Sequence, residues 1–268
     1  MMKTTTFLVL TFAAFSLAAP AFAQRLYYSR DYDTSGGLYT LSTTTGAATW
    51  VGLSGVYSAT VGLSESATGG VLYGTDPFGI LHVNADGSGA TKVSDTVSEG
   101  LAYDPSSGLL YSWWQDTGFQ ALNPYSGSVL ATLADPGADV EGLAYGRGSV
   151  FGLAGWSGPR GNLYQYNISG DSWTLVGYTG VDFNETGLAY DPVADVLYAI
   201  GSQDSYLYAI DPDTALATII GSTGLSPAGG GLAFVPVPEP AFSMAASAGA
   251  LLCASVCFLR RRRLAAKS

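Results

Sequence analysis

The pattern of apolar and polar positions between about residues 26 and 235 predicts a succession of short β-strands. Small, β-branched and aromatic residues form brief runs, such as 196–200, and turns rich in Gly, Asp, Asn and Pro separate them. The first group of residues favours strands and the second favours turns. No stretch of this region keeps a helical period of apolar residues. The region is therefore predicted to be all-β.

The strands repeat as a larger unit that is marked by the dipeptide Gly-Leu. Its intervals are 38, 42, 45 and 44 residues, and its glycines are Gly62, Gly100, Gly142, Gly187 and Gly231. The six residues from Gly100 to Pro105 are identical to those from Gly187 to Pro192. Each full unit contains four predicted strands. A repeat of about 40–45 residues with four strands is typical of a β-propeller blade.

The two ends of the repeat region complete one another. The first unit, 26–55, lacks the Gly-Leu strand, and the last, 231–235, consists of that strand alone. Joining them closes a ring without an open sheet edge, which propellers commonly do. The prediction is a five-bladed propeller with four-stranded blades, made of 26–55 with 231–235, then 62–94, 100–133, 142–177 and 187–221. An open β-solenoid or sandwich is the alternative.

The repeats resemble the NHL and YVTN class of propeller repeat over about residues 26–235. They match the WD-repeat class less closely, because the Trp-Asp dipeptide is missing.

Both termini carry targeting patterns. Lys3, an apolar stretch and the A-x-A pattern 21–23 predict a secretory signal peptide over 1–23. Near the other end, 241–259 is an uncharged apolar run whose length suits one transmembrane helix, and 260–268 is a basic tail. Cations beside a span stay on the cytoplasmic side, so the body over 24–235 is expected to face outward. A plain single-span anchor would need nothing more.

The order of features at the C-terminus resembles the PEP-CTERM sorting signal of Gram-negative bacteria. A Pro-rich motif at 236–240 precedes the apolar run, and the arginine cluster follows it; the residues are Val237, Pro238, Glu239, Pro240, Arg260, Arg261, Arg262 and Arg263. The resemblance implies signal peptidase and an exosortase, a membrane cysteine transpeptidase, as processing partners. It also implies an inner-membrane precursor, cleavage near Pro-Glu-Pro and transfer to the cell surface or the extracellular space.

Charge and cysteine content narrow the possible partners. From 24 to 240 the chain has five basic and all twenty-one acidic residues, a net charge of about −16. So acidic a body disfavours nucleic acid and anionic lipid as partners. The two cysteines lie inside the apolar run, so the exported body has no disulfide framework. Cations, neutral sugars and proteins remain as candidate ligands.

Three carboxylates are the candidate site. In repeats of this type the Gly-Leu strand lines the central channel, so Glu99, Glu141 and Glu185 are expected at one channel mouth. Together they could bind a cation such as Ca²⁺, or supply an acid and a base or nucleophile for glycoside cleavage. Alternatively, the repeat simply places a polar residue before each strand. No cofactor, metal site or catalytic residue is assigned.

Other candidate motifs fit structural roles better. His82 has no nucleophile motif and is expected at a surface or strand edge. Two partial calcium loops, at 31–36 and 84–95, lack the final bidentate Glu and fall where the repeat needs turns. The aromatic residues Trp113, Trp114, Tyr125, Trp156 and Tyr178 are expected mainly to pack between blades, with sugar stacking as the alternative.

These observations predict an exported, non-enzymatic surface or matrix protein that binds polysaccharide or another protein. A secreted glycan-active hydrolase or lyase that uses the three glutamates is the alternative. An inert envelope component that binds divalent ions is a third interpretation.

Overall fold

The strands of the computed structural model follow the predicted repeat. The structure describes residues 23–30, 37–53, 62–226 and 229–237, and these ranges contain strands and turns with no α-helix. The all-β prediction is confirmed. Residues 1–22 and 238–268 lie outside the described ranges, so the signal peptide, most of the sorting motif, the transmembrane helix and the basic tail stay predictions. Within the described ranges, no helix is long and apolar enough to cross a bilayer.

The described residues form twenty strands. In chain order they are β1 (Ala23–Arg30), β2 (Gly37–Leu41), β3 (Ala48–Leu53), β4 (Leu63–Glu65), β5 (Val71–Asp76), β6 (Gly79–Asn84), β7 (Ala90–Ser94), β8 (Gly100–Asp104), β9 (Leu109–Trp114), β10 (Gly118–Leu122), β11 (Val129–Thr132), β12 (Gly142–Gly146), β13 (Ser149–Leu153), β14 (Asn162–Asn167), β15 (Ser172–Tyr178), β16 (Gly187–Asp191), β17 (Val196–Ile200), β18 (Tyr206–Ile210), β19 (Ala217–Ser222) and β20 (Gly230–Val237).

The strands assemble into five four-stranded sheets, which are the blades of a five-bladed propeller. Blade 1 has the order β20-β1-β2-β3, and blades 2 to 5 are β4–β7, β8–β11, β12–β15 and β16–β19, each a meander in chain order. The pairings within blades 2 to 5 are antiparallel. The predicted blade number and the pairing of the C-terminal strand with the N-terminal blade are both confirmed.

The inner strands β20, β4, β8, β12 and β16 surround the central axis, and the glycines that begin them form a closed ring. A Cβ atom on any of these glycines would meet the start of the next inner strand at 2.1–2.8 Å, which is too close for a side chain. The contacts run around the ring in the order Gly62, Gly100, Gly142, Gly187, Gly231 and back to the segment at Gly62. The repeated glycine therefore allows five strands to converge, and we call this end of the axis the narrow end.

The hydrophobic core lies between neighbouring blades. Leucines that follow the ring glycines are buried, and each packs against the second and third strands of the preceding blade. Aromatic pairs add to the same interfaces: the ring centroids of Phe151 and Tyr190 lie 6.2 Å apart, and those of Tyr198 and Phe234 lie 5.8 Å apart. Each buried side chain of this size contributes about 1.5–3 kcal/mol.

Blade 1 closes the ring through its own core contacts. Leu232 and Phe234 of β20 pack with Leu26 and Tyr28 of β1 and with Tyr198 of blade 5. The Tyr28 hydroxyl donates to the carbonyl oxygen of Gly229 at 3.2 Å. The two ends of the chain body are thus joined by both a shared sheet and a shared core.

Candidate functional site

The three predicted carboxylates lie at the narrow end of the propeller. Glu99 and Glu141 directly precede β8 and β12, and Glu185 precedes β16 by two residues. The charges of Glu141 and Glu185 both raise the pKa of Glu99, so the three groups interact in one acidic cluster. Whether this cluster binds a ligand or a cation stays a prediction.

Glu141 is a structural link between two blades. Its Oε1 accepts the backbone N–H of Trp156, and its Oε2 accepts that of Thr186, both at 3.0 Å. Gly155 leaves the space for it, since a Cβ there would lie 2.1 Å from Oε2. Burial raises the pKa of Glu141 to about 7, with smaller contributions from the charges of neighbouring acids and opposition from the two N–H donors. The buried carboxyl fastens the β13–β14 loop of blade 4 to the start of β16.

Glu99 has a different environment. Its Oε2 is buried and has no hydrogen-bond partner in the described part of the chain. Burial, followed by the charges of Glu141, Asp139, Asp116 and Glu185, raises the pKa of Glu99 to about 8. A carboxyl with this pKa is largely protonated at neutral pH, so Glu99 can donate a hydrogen bond as well as accept one.

Two further acids belong to the cluster and were missed from the sequence. Asp139 Oδ2 accepts the N–H and the hydroxyl of Ser157, each at 2.8 Å, while its Oδ1 is buried and unpaired among the described residues. Asp116 lies in the β9–β10 turn and raises the pKa of Glu99 through its charge. Asp139 stands two residues before Glu141, and this spacing is its only sequence signal. Asp116 has no signal in the sequence, because its turn is distant along the chain from the inner strands.

Exposed aromatic side chains lie at the same end of the propeller as the acidic cluster. The Trp156 side chain is 57% exposed in the β13–β14 loop, and Phe78 is 60% exposed in the β5–β6 turn. The Arg160 guanidinium lies 5.8 Å from the Trp156 ring centroid, and its Nε donates to the Trp156 carbonyl. The bond from the Trp156 backbone N–H to Glu141 fixes the main chain at this position, and the Arg160 guanidinium lies over the exposed indole.

The other predicted aromatic residues have mixed environments. Trp113 is buried within the core of blades 3 and 4, as expected for packing. Tyr178 is 49% exposed at the end of β15, and its hydroxyl donates to Asp182. Tyr125 is 65% exposed in the β10–β11 turn, at the opposite end of the propeller. The expectation that these side chains mainly pack between blades therefore holds for Trp113 but not for the exposed rings.

His82 and Asp86 have structural contacts, whereas the partial calcium loop at 31–36 lies outside the described residues. His82 lies in β6, half-buried, with its Nε2 3.2 Å from the carbonyl oxygen of Pro124 in the next blade and its ring beside Tyr73, so the expected surface or strand-edge position holds only in part. Asp86 forms a turn by accepting the Ser88 N–H. Within the ranges that the structure describes, no three His, Cys, Asp or Glu side chains are grouped to hold a metal ion.

The central axis is nearly blocked at the narrow end. The ring glycines and their leucines enclose no space for water there, and the next layer has room for about 20 Å³, comparable to one water. At the opposite end, which we call the wide end, the axis opens into a pocket of about 450 Å³. A ligand at the acidic cluster therefore lies on the outer face of the ring rather than in a through-channel.

Comparison with known proteins supports the fold alone. No family model and no curated protein sequence matches the chain. A chain in the crystal structure of a nidogen/laminin complex is similar in structure, with a TM-score of 0.55 and 16% sequence identity over 79% of this chain and 82% of that chain. At this level of identity the similarity shows a shared fold.

Proposed function

We propose that this protein is an exported, non-enzymatic binding module of the cell surface or extracellular matrix, and that its narrow end binds neutral polysaccharide. The observation that carries the proposal is the exposed indole of Trp156, whose backbone N–H donates to Glu141 of the acidic cluster. An aromatic face packs against the C–H face of a sugar ring, while carboxyl groups bond its hydroxyls. The acidity of the body disfavours anionic polysaccharides.

The protonation and hydrogen bonding of Glu99 and Glu141 favour polysaccharide binding over hydrolysis. A glycosidase needs one protonated acid and one ionised nucleophile or base, whose pKa values are pushed apart. Here burial raises the pKa values of both Glu99 and Glu141. In addition, backbone N–H groups occupy both oxygens of Glu141.

The proposed route to the surface follows from the terminal patterns. Signal peptidase would remove 1–23, and an exosortase-like enzyme of a Gram-negative bacterium would process the PEP-CTERM motif, with the 241–259 helix as the temporary inner-membrane anchor. Strand β20 ends at Val237, directly before Pro238. Cleavage after this strand would leave the propeller closed, which supports the compatibility of fold and sorting signal.

A glycan-active hydrolase is the second candidate, because of Glu99. A buried carboxyl with a raised pKa and an unpaired oxygen is a group that can act as a general acid.

One experiment separates the two candidates. Full-length protein in a polyoxyethylene detergent, which has neither sugar nor ammonium groups, is titrated with neutral glucans and with uronic-acid polymers, while released reducing ends are measured. We expect binding of a neutral glucan without sugar release, and about tenfold weaker binding by Trp156→Ala. Tyr125→Ala, an exposed aromatic change at the wide end, is the matched control. Sugar release that Glu99→Gln abolishes would establish the hydrolase instead, and binding unaffected by Trp156→Ala would contradict the proposed site.

A further inference from the structure

The wide end of the propeller contains a pocket that the polysaccharide proposal does not use. The residue three positions after each ring glycine lines it, and in four blades this residue is aromatic; the set is Glu65, Tyr103, Tyr145, Tyr190 and Phe234. Small and apolar residues complete the wall, including Ala67, Pro105 and Pro192. The pocket of about 450 Å³ is thus bounded by aromatic rings, one carboxylate and the side chain of Arg147.

Glu65 breaks the repeat at this position. In blades 3, 5 and 1 the corresponding ring packs against an aromatic residue of the preceding blade, with centroid distances of 5.4 Å for Tyr103, 6.2 Å for Tyr190 and 5.8 Å for Phe234. Glu65 in blade 2 has no ring and cannot make the corresponding aromatic contact. Its carboxylate makes no hydrogen bond or ion pair within the described part of the chain, and burial alone raises its pKa to about 7. No described residue offsets the cost of placing a carboxylate here by a hydrogen bond or ion pair.

The nearby arginine does not supply the missing counter-charge. Arg147 lines the pocket, but its Nε and Nη2 bond Asp195 at 2.7 and 2.5 Å, and its Nη1 bonds Asp213 at 2.6 Å. The Tyr190 hydroxyl also donates to Asp195 at 2.6 Å. One guanidinium thus pairs with two carboxylates. When the Glu65 carboxylate is counted as well, the pocket and its surroundings have a net negative charge.

We propose that this pocket binds a small alkylated organic ammonium ion, with Glu65 as the counter-ion and the tyrosine and phenylalanine rings as its apolar and cation–π wall. Alkyl groups around the nitrogen suit aromatic and proline surfaces and lower the cost of removing the cation from water. The Glu65 carboxylate then gains an opposite charge that no described side chain supplies by an ion pair. The site lies at the other end of the axis from the acidic cluster, so the proposal is independent of polysaccharide binding.

Binding is expected to depend on pH in a defined direction. The cation attracts the ionised form of Glu65 and lowers its pKa when bound. Because the free carboxyl titrates near pH 7, affinity rises between pH 6 and pH 8.5 and then becomes constant. Asp195 does not add to this change, because Arg147 and Tyr190 hold its pKa at about 2. Arg147, whose pKa is raised by both aspartates, stays charged throughout. The pKa values of Tyr103, Tyr145 and Tyr190 are raised, and these phenols stay neutral.

The test is a titration of the full-length protein in polyoxyethylene detergent with choline and with tetramethylammonium, followed by saturation transfer to their N-methyl protons. The neutral isostere of choline, 3,3-dimethylbutanol, is titrated in parallel at pH 6 and pH 8.5. We expect saturable binding of both cations, stronger at pH 8.5, and at least about tenfold weaker binding of the isostere.

Variants locate the site. Glu65→Gln keeps the side-chain shape and is expected to reduce cation affinity about tenfold or more at pH 8.5 and to remove the pH dependence. Glu65→Tyr restores the aromatic residue of the other blades and is expected to abolish binding while the fold is kept. Asp86→Asn removes one charge from an exposed turn and should leave binding unchanged. Equal binding of the isostere, or full affinity in Glu65→Gln, would overturn the proposal. If Glu65→Gln fails to fold, the same affinity at both pH values in the unmodified protein would overturn it.

Discussion

At the scale of single residues, the repeated glycines show why this sequence pattern exists. Gly187 and its equivalents are needed because inner strands approach so closely at the narrow end that a methyl group has no space. Each of these five glycines is followed by a buried leucine and, three residues after the glycine, by a residue that lines the wide-end pocket, which is aromatic in four of the five blades. One short motif therefore sets the closure of the narrow end and the lining of the opposite pocket.

The first prediction concerns Gly187. A Cβ there would lie 2.1 Å from the carbonyl oxygen of Gly230, a backbone atom that moves only with its strand. Gly187→Ala is expected to lower the free energy of unfolding by about 1–3 kcal/mol, measured by urea denaturation. Gly69→Ala is the control, because no atom lies within 4 Å of its added Cβ. Equal stability of the two variants would show that the inner strands are less tightly packed than described.

At the scale of elements, the four-stranded blade depends on its neighbours for its core. Leucine and aromatic side chains of one inner strand pack on the preceding blade, so no blade buries its apolar face alone. Blade 1 has a further requirement, since its inner strand β20 comes from the far end of the described chain.

The second prediction concerns this closing strand. A stop codon after Ser226 removes β20, exposes the edge of β1 and uncovers Leu26 and Tyr198 in the shared core. We expect the protein that ends at Ser226 to lose its cooperative thermal transition and to aggregate. A stop codon after Glu239 retains all of β20 and should preserve the transition. Both proteins are compared by circular dichroism and light scattering. A folded, monomeric product of the shorter chain would contradict the role of β20 in closing the ring.

At the scale of the whole molecule, acidic groups are concentrated at both ends of the axis. Burial raises the pKa values of Glu65, Glu99 and Glu141 from their ordinary 4.5 to about 7, 8 and 7. Each of these groups binds its proton more tightly in the folded protein than in the unfolded chain. Their contribution to stability is therefore full below about pH 4.5 and is lost as the pH rises through about 7 to 8.

The third prediction follows from this linkage. The melting temperature is expected to fall by at least about 2 °C between pH 5.5 and pH 8.5. Glu99→Gln, which cannot ionise, should reduce this fall, whereas Asp86→Asn should not, because hydrogen bonds from Ser88 keep the pKa of Asp86 below the window. Thermal unfolding at several pH values measures the effect. A rise in stability toward pH 8.5 would contradict the assignment of these carboxyls as buried acids.

Sequence alone determined the repeat, the number of blades, the closing strand and the position of three glutamates before inner strands. These features are local or periodic, so spacing and residue type reveal them. It also contained the signal for Glu65, since aligning the residue three places after each ring glycine shows one acid among four aromatic residues.

How these residues act together follows from the three-dimensional arrangement of the blades. Folding brings Asp116 and Trp156, from turns of two different blades, to the same end as Glu99, and it shows that Glu141 is held by two backbone N–H groups. Spacing along the chain cannot reveal such contacts, because each depends on how successive blades are arranged around the axis. Burial, which sets the pKa values of these carboxyls, likewise exists only once the blades have closed around them.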